Sequence, residues 1–204
     1  MSTRREQGYT LVEMAVVMSV FVVFMSFASP FIFSQLNAGI RAEERIDLQD
    51  SARSALRTMT RELRQASELY NTPGKPTDDA RLSFGVDLDG NGSINDYQTS
   101  TILEQITYFA SEGTLYRSRN PGLGQGAPLA EDVESVEFTK FGSNLAFDSN
   151  GDGVVSESEL NPDATWTASE LANVTRIQVE LSVQGDEVQQ TFSAAVVLRN
   201  RMLG

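Results

Sequence analysis

The chain has 204 residues, with 16 Lys and Arg against 28 Asp and Glu for a net charge of −12, and no cysteine or histidine. That length accommodates one soluble domain of about 130 residues beside an N-terminal element, not two large ones. The acidity argues against a nucleic-acid surface, and the missing residue types remove disulfide staples, the commonest zinc ligand and the commonest general base.

The first predicted element is a membrane span. From Met14 to Phe33 twenty residues carry no charge, and at about 1.5 Å per residue such a helix crosses the roughly 30 Å hydrocarbon core of a bilayer. Arg4 and Arg5 precede it, whereas the far flank stays neutral until Arg41. This asymmetry predicts a cytoplasmic N-terminus, with the rest of the chain facing outward. A cleaved secretory signal would be shorter and end in an Ala-x-Ala-like site, of which Phe27-Ala28-Ser29-Pro30 is a poor version. Neither reading explains Glu13, a carboxylate that costs about 2.5 to 3.5 kcal/mol at mid-bilayer, less near the interface, and so calls for a partner.

The run Gly8-Tyr9-Thr10-Leu11-Val12-Glu13, behind a short basic leader and ahead of the apolar stretch, resembles the class III signal of type IV pilins and pseudopilins. The resemblance implies cleavage by a prepilin peptidase between Gly8 and Tyr9 and methylation of Tyr9, which stands where the family usually has Phe. It also implies that Glu13, fifth residue of the mature chain, compensates the positive N-terminal amine of a subunit in the growing filament. An ion pair in low dielectric is far less costly than either charge alone. Pro30 falls where many pilins carry a helix-kinking proline. Loss of the leader 1–8 removes two arginines and one glutamate, leaving 14 basic and 27 acidic residues and a net charge of −13.

Next, Ile46, Ala52, Ala55, Leu56, Met59, Leu63, Ala66 and Leu69 recur at three- and four-residue spacing with charged residues between them, an amphipathic pattern. The segments Tyr9 to Phe33 and Ala42 to Tyr70 are expected to form one long helix, bent or loosened near Pro30 and Gly39 and broken at Asn71-Thr72-Pro73-Gly74. The domains are thus a leader 1–8, a membrane and assembly helix 9–35, an amphipathic half 36–70 and a β-rich domain 71–204. Its apolar stripe should pack on a sheet, and its arginine-rich opposite face is available to neighbouring subunits. The text from Ala52 to Ala66 and the ending Val196-Val197-Leu198-Arg199-Asn200 are similar to W-type minor pilins and to J-type minor pseudopilins of type II secretion.

Downstream the period shifts toward two in the segments 81–86, 101–110, 113–119, 131–141, 174–185 and 187–201, with Gly185-Asp186 in the last turn. These predict a mainly antiparallel sheet. The fold class is therefore α+β, pilin-like, with a long N-terminal helix packed on an antiparallel β domain.

Two loops carry metal chemistry. Residues 148–159 fit the twelve-residue EF-hand calcium loop. Asp148, Asn150, Asp152, Ser156 and Glu159 supply side-chain oxygens, Val154 a backbone carbonyl, and Gly153 the tight turn. Calcium takes about six to eight oxygens, which this set can provide. The preceding Phe141-Gly142-Ser143 argues against a long entering helix, and Ser158-Glu159-Leu160 begins only a short leaving one. Residues 87–98 begin the same way but end in Gln98. A second, weaker site would use Asp87, Asp89, Asn91, the Ser93 carbonyl and Asn95 or Asp96. In a domain without disulfides, ions that bind the folded form stabilise it by mass action.

No segment resembles a nucleophile elbow, phosphate loop or zinc cluster. Gly122-Leu123-Gly124-Gln125-Gly126 lacks the lysine that phosphate binding needs, and Asp78-Asp79 reads as a solvated turn. The sequence therefore points to a non-enzymatic, low-abundance subunit of a type IV pilus or type II secretion pseudopilus, stored in the bacterial inner membrane and then part of a periplasmic or extracellular filament. Its expected partners are other subunits, the prepilin peptidase and the inner-membrane assembly platform, with no nucleic acid. The alternative is a single-pass anchor displaying a calcium-dependent binding domain that does not polymerise.

Overall fold

The computed structural model describes residues 10–71, 77–88, 90, 94, 104–119, 126–185 and 189–198. Two compact units divide it, Met1–Glu44 and Arg45–Gly204. Helix α1 runs without interruption from Leu11 to Leu63, through the boundary between them.

In the first unit α1 carries no charge from Met14 to Phe33. Leu11–Gln35 is long and apolar enough to cross a membrane, and Phe21, Phe24, Phe27 and Phe31 are each more than half exposed. The hydroxyls of Ser19, Ser26 and Ser29 donate to the carbonyls of Ala15, Val22 and Met25 at 2.8, 2.8 and 2.7 Å, so these polar groups are satisfied within the helix, as an apolar medium requires. The helix continues through Pro30. That residue has no N–H to offer the Ser26 carbonyl.

The second unit begins on the amphipathic part of α1. Leu48, Ala52, Ala55, Leu56, Met59 and Leu63 are buried, whereas Ile46, expected on the same stripe, is 58% exposed. Six residues separate Ile46 from Ala52, a rotation of roughly 240° about the axis, so Leu48, one turn before Ala52, takes its place. The helix ends at Leu63 rather than at the expected Tyr70. Gln65 and Ala66 close three-residue turns onto Glu62 and Leu63 at 3.0 and 3.1 Å, and Ser67 N–H already donates to Gly85 O. Leu69 is buried as expected, but from the centre of strand β1 (Glu68–Tyr70).

Among the described residues all the strands pair antiparallel, in two sheets rather than one. The first is a meander of β1, β2 (Arg81–Gly85), β3 (Gln105–Ser111), β4 (Thr114–Ser118) and β5 (Ala127–Ala130) in that order. The second contains β6 (Val133–Gly142), β7 (Val174–Gln184) and β8 (Gln189–Val197). Short helices α2 (Glu157–Leu160) and α3 (Ala168–Ala172) lie in the connection from β6 to β7. Met59 and Leu63 of α1, Leu82, Phe84, Ile106 and Tyr108 of the first sheet, and Phe138, Ile177, Val179 and Leu181 of the second belong to one buried cluster. A half-buried ion pair ties helix to sheet: Arg117 Nε and Nη2 donate to Glu62 at 2.8 and 2.7 Å, and the Tyr108 hydroxyl also donates to Glu62. Burial, then the Glu62 carboxylate, push the Tyr108 hydroxyl pKa well above its usual value.

Met59 is fully buried, so Met59→Ala should destabilise the protein by about 2–5 kcal/mol through lost burial and a residual cavity. Ile46→Ala should change stability by less than about 0.5 kcal/mol. Denaturant unfolding of both variants checks the assignment of the stripe.

Candidate functional site

The start of α1 is built by Thr10 and Glu13. Glu13 Oε2 accepts from the Thr10 N–H at 2.9 Å and from its hydroxyl at 3.1 Å, while the Glu13 N–H donates to Thr10 Oγ1 at 3.2 Å. Met14 N–H reaches the Thr10 carbonyl at 3.2 Å. This is a reciprocal capping box that satisfies donors left over at a helix start. Glu13 therefore has a partner inside its own chain. Gly8 and Tyr9, the expected cleavage and methylation positions, lie outside the described residues.

The loop 148–159 follows β6 and a 3-10 turn at Leu145–Phe147 and leads into α2, so a strand enters it and only a one-turn helix leaves. Its polar side chains turn inward on the loop's own backbone. Asp148 Oδ1 and Oδ2 accept from the N–H groups of Gly151 and Gly153 at 2.7 and 2.9 Å, Asn150 Oδ1 from Asp152 at 2.8 Å, and Asp152 Oδ1 from Val154 at 2.7 Å. Gly153 has φ +82°, a conformation that disfavours any side chain. Glu159 closes the loop: Oε1 accepts from the Ser149 N–H at 2.9 Å and Oε2 from the Ser156 N–H and hydroxyl at 2.9 and 2.8 Å. Hydrogen bonds from Ser156, then Ser149, hold its carboxyl down to about 2.

Two contacts fasten this loop to the second sheet. Gly142 N–H donates to Val155 O at 2.9 Å, and a Cβ on Gly142 would lie 3.0 Å from Val155 Cγ1 and 3.1 Å from Leu160 Cδ2. Buried Lys140 donates through Nζ to Glu157 at 2.9 Å and to Phe138 O at 2.7 Å, reaches Asp79 at 3.5 Å and lies over the Trp166 ring at 5.2 Å. Neither Lys140 nor the Glu62–Arg117 pair is marked by any sequence motif. Lysine on the inward phase of the strand 133–142, two residues after Phe138, was the available signal for the former.

The donor set of 148–159 is all oxygen, the chemistry calcium selects. Among the described residues no three His, Cys, Asp or Glu are grouped to hold a metal ion, so an ion here would depend also on Asn150, Ser156 and the Val154 carbonyl. For the loop 87–98, Asp87 is described, and its Oδ1 accepts from Gly90 N–H at 2.7 Å. Asp89, Asn91, Ser93, Asn95 and Asp96 lie outside the described residues.

Residues 3–29 match the family model for the prokaryotic N-terminal methylation motif. It is the class III signal of type IV pilins and pseudopilins. No curated protein and no solved structure gives a significant match to the chain. The class III signal implies assembly with other pilin subunits and processing by prepilin peptidase, and with the apolar Leu11–Gln35 it fits a single-pass, membrane-anchored protein. Of the matched residues, those from 10 to 29 are described, Thr10 and Glu13 among them.

Glu159 gives a pH test. Its folded-state pKa is lowered from 4.5 to about 2, so its contribution is present above 4.5 and is lost as pH falls toward 2. The stability difference between the protein and Glu159→Gln should shrink across that window in acid titrations of thermal unfolding, whereas a constant difference would contradict the closed loop.

Proposed function

We propose that this chain is a minor, low-abundance subunit of a type IV pilus or of a type II secretion pseudopilus, cut between Gly8 and Tyr9, methylated at Tyr9, and active in filament initiation or at the tip. The observation that carries this reading is the methylation motif at residues 3–29, continuous with an apolar helix whose first turn contains Glu13. In the membrane the helix stores the subunit with its N-terminus cytoplasmic and its β domain outside. The assembly platform then draws it into a helical bundle, where Glu13 pairs with the terminal amine of a neighbour and sets the register. The β domain supplies neighbour-specific contacts and acts as a structural part, not an enzyme. Its size and acidic loops suit a position occupied once rather than repeated along a shaft.

Mass spectrometry of inner-membrane and sheared-surface fractions tests the processing. A peptide beginning at Tyr9 with one added methyl group is expected in the sheared fraction. Intact chain beginning at Met1 and confined to the membrane would instead support the anchored, non-polymerising domain. Glu13→Ala should insert normally yet fail to enter filaments. Thr10→Val, which removes the hydroxyl of the capping box at a cost of about 1 kcal/mol but keeps the carboxylate, should still enter. Equal failure of the two variants would reduce Glu13 to a cap.

We propose further that loop 148–159 binds one calcium ion through Asp148, Asn150, Asp152, Val154, Ser156 and Glu159, and loop 87–98 a second, weaker one. Extracellular sites of this type work at dissociation constants of about 10⁻⁴ to 10⁻³ M. Calcium titrations followed by calorimetry should saturate in that range, and calcium should displace bound terbium as read by its luminescence. Asp148→Ala together with Glu159→Ala should abolish the stronger phase, and saturation unchanged in that double variant would exclude the site.

A further inference from the structure

Opposite its buried stripe, α1 presents Arg53, Arg57, Arg61 and Arg64. All four are exposed, and none makes an ion pair or side-chain hydrogen bond among the described residues. They line one wall of a groove of about 1050 Å³ whose other wall includes Phe192 and Ala194 of β8. Like charges at i and i+4 destabilise a helix. On a chain of net charge −12, this cluster is therefore a local concentration of positive charge, against which the groove's lining sets a single carboxylate, Asp87.

The β8 wall carries a second, independent signal. In the second sheet β8 is an outer strand paired with β7 alone. The opposite outer strand, β6, is covered: Phe138 N–H donates to Asp79 O at 2.8 Å, and Gly142 N–H to Val155 O. Among the described residues no comparable bond covers β8. Its nine residues, Gln189–Val197, contain no charge and no proline, the devices that usually guard an edge against pairing.

We infer that this groove receives an extended acidic segment of another protein chain, which adds a strand to β8 and sets alternate carboxylates against Arg53, Arg57, Arg61 and Arg64. Arg53, Arg57 and Arg61 recur about every 6 Å along α1, close to the roughly 6.6–6.8 Å between alternate side chains on a strand, and Arg64, three residues on, lies about 4.5 Å further along. Main-chain bonds to the free edge supply affinity and the arginines supply specificity. The free main-chain edge of β8 favours a peptide over a nucleic acid, which has no backbone amides to pair with it. Within the proposed filament the donor is a neighbouring subunit, and only that last step rests on the filament reading.

Fluorescence anisotropy of a labelled Thr-Glu-Val-Glu-Val-Glu-Thr peptide with the full chain in detergent micelles tests the groove itself, whatever the processing at Gly8. Binding should weaken at least about tenfold for the glutamine counterpart, for the Arg57→Glu and Arg61→Glu double variant, and for a peptide N-methylated on one of its two alternating sets of amides. Methylation of the other set should be tolerated. Because both arginines are exposed, an unchanged thermal melt is expected for the variant, and Arg57→Gln with Arg61→Gln provides a milder pair. Equal binding of the glutamate and glutamine peptides, no binding up to about 1 mM, or tighter binding of a single-stranded oligonucleotide would each overturn the inference.

Discussion

One helix has to satisfy two surroundings with a single backbone, and the rest of the molecule is arranged around that constraint. Inside a bilayer every main-chain polar group must find its partner within the segment, so α1 stays helical through Pro30 and folds its serine hydroxyls back onto its own carbonyls. From Leu48 onward the same helix meets a protein core, and its apolar residues narrow to one stripe. Its two ends are closed differently. Thr10 and Glu13 cap the start, and tight turns onto Glu62 and Leu63 close the finish and hand the chain to the first sheet.

A domain without cysteine must hold its longest connection by other means, and the segment between β6 and β7 does so with carboxylates on one turn of helix. Glu157 faces the sheet and neutralises buried Lys140, whereas Glu159 faces the loop and gathers the N–H groups of Ser149 and Ser156. Leu160, fully buried, fixes the turn between them. Such a charge as Lys140 is tolerated only because its ammonium group is both paired and hydrogen-bonded. The loop and the sheet are consequently joined through α2, with Glu159 on the loop side and Glu157 on the side of β6.

The helix and the antiparallel pairing were legible because each depends on local periodicity. The end of α1 was not: Leu63, Ala66 and Leu69 keep a helical spacing while the backbone passes through a turn into a strand, and a three-residue strand is too short to display a period of its own. β5 was hidden by Pro128, which an outer strand tolerates and a sequence pattern reads as a break. The split into two sheets, and the pairing of Glu62 with Arg117 across 55 positions, are long-range facts that no local window contains.

The capping box also changes how Glu13 is understood. Hydrogen bonds from Thr10 satisfy lone pairs and hold the carboxylate at the positive end of the helix dipole, but they leave a full negative charge in place. Capping and charge compensation are thus different tasks. A Thr10 hydroxyl can complete the first and cannot complete the second, which still requires a cation. The cap fixes the carboxylate at the first turn instead of letting it swing toward water, and so makes its position predictable to whatever cation approaches. In the proposed filament these local bonds would not compete with an intersubunit pair, because they hold the carboxylate in place and leave its charge unpaired.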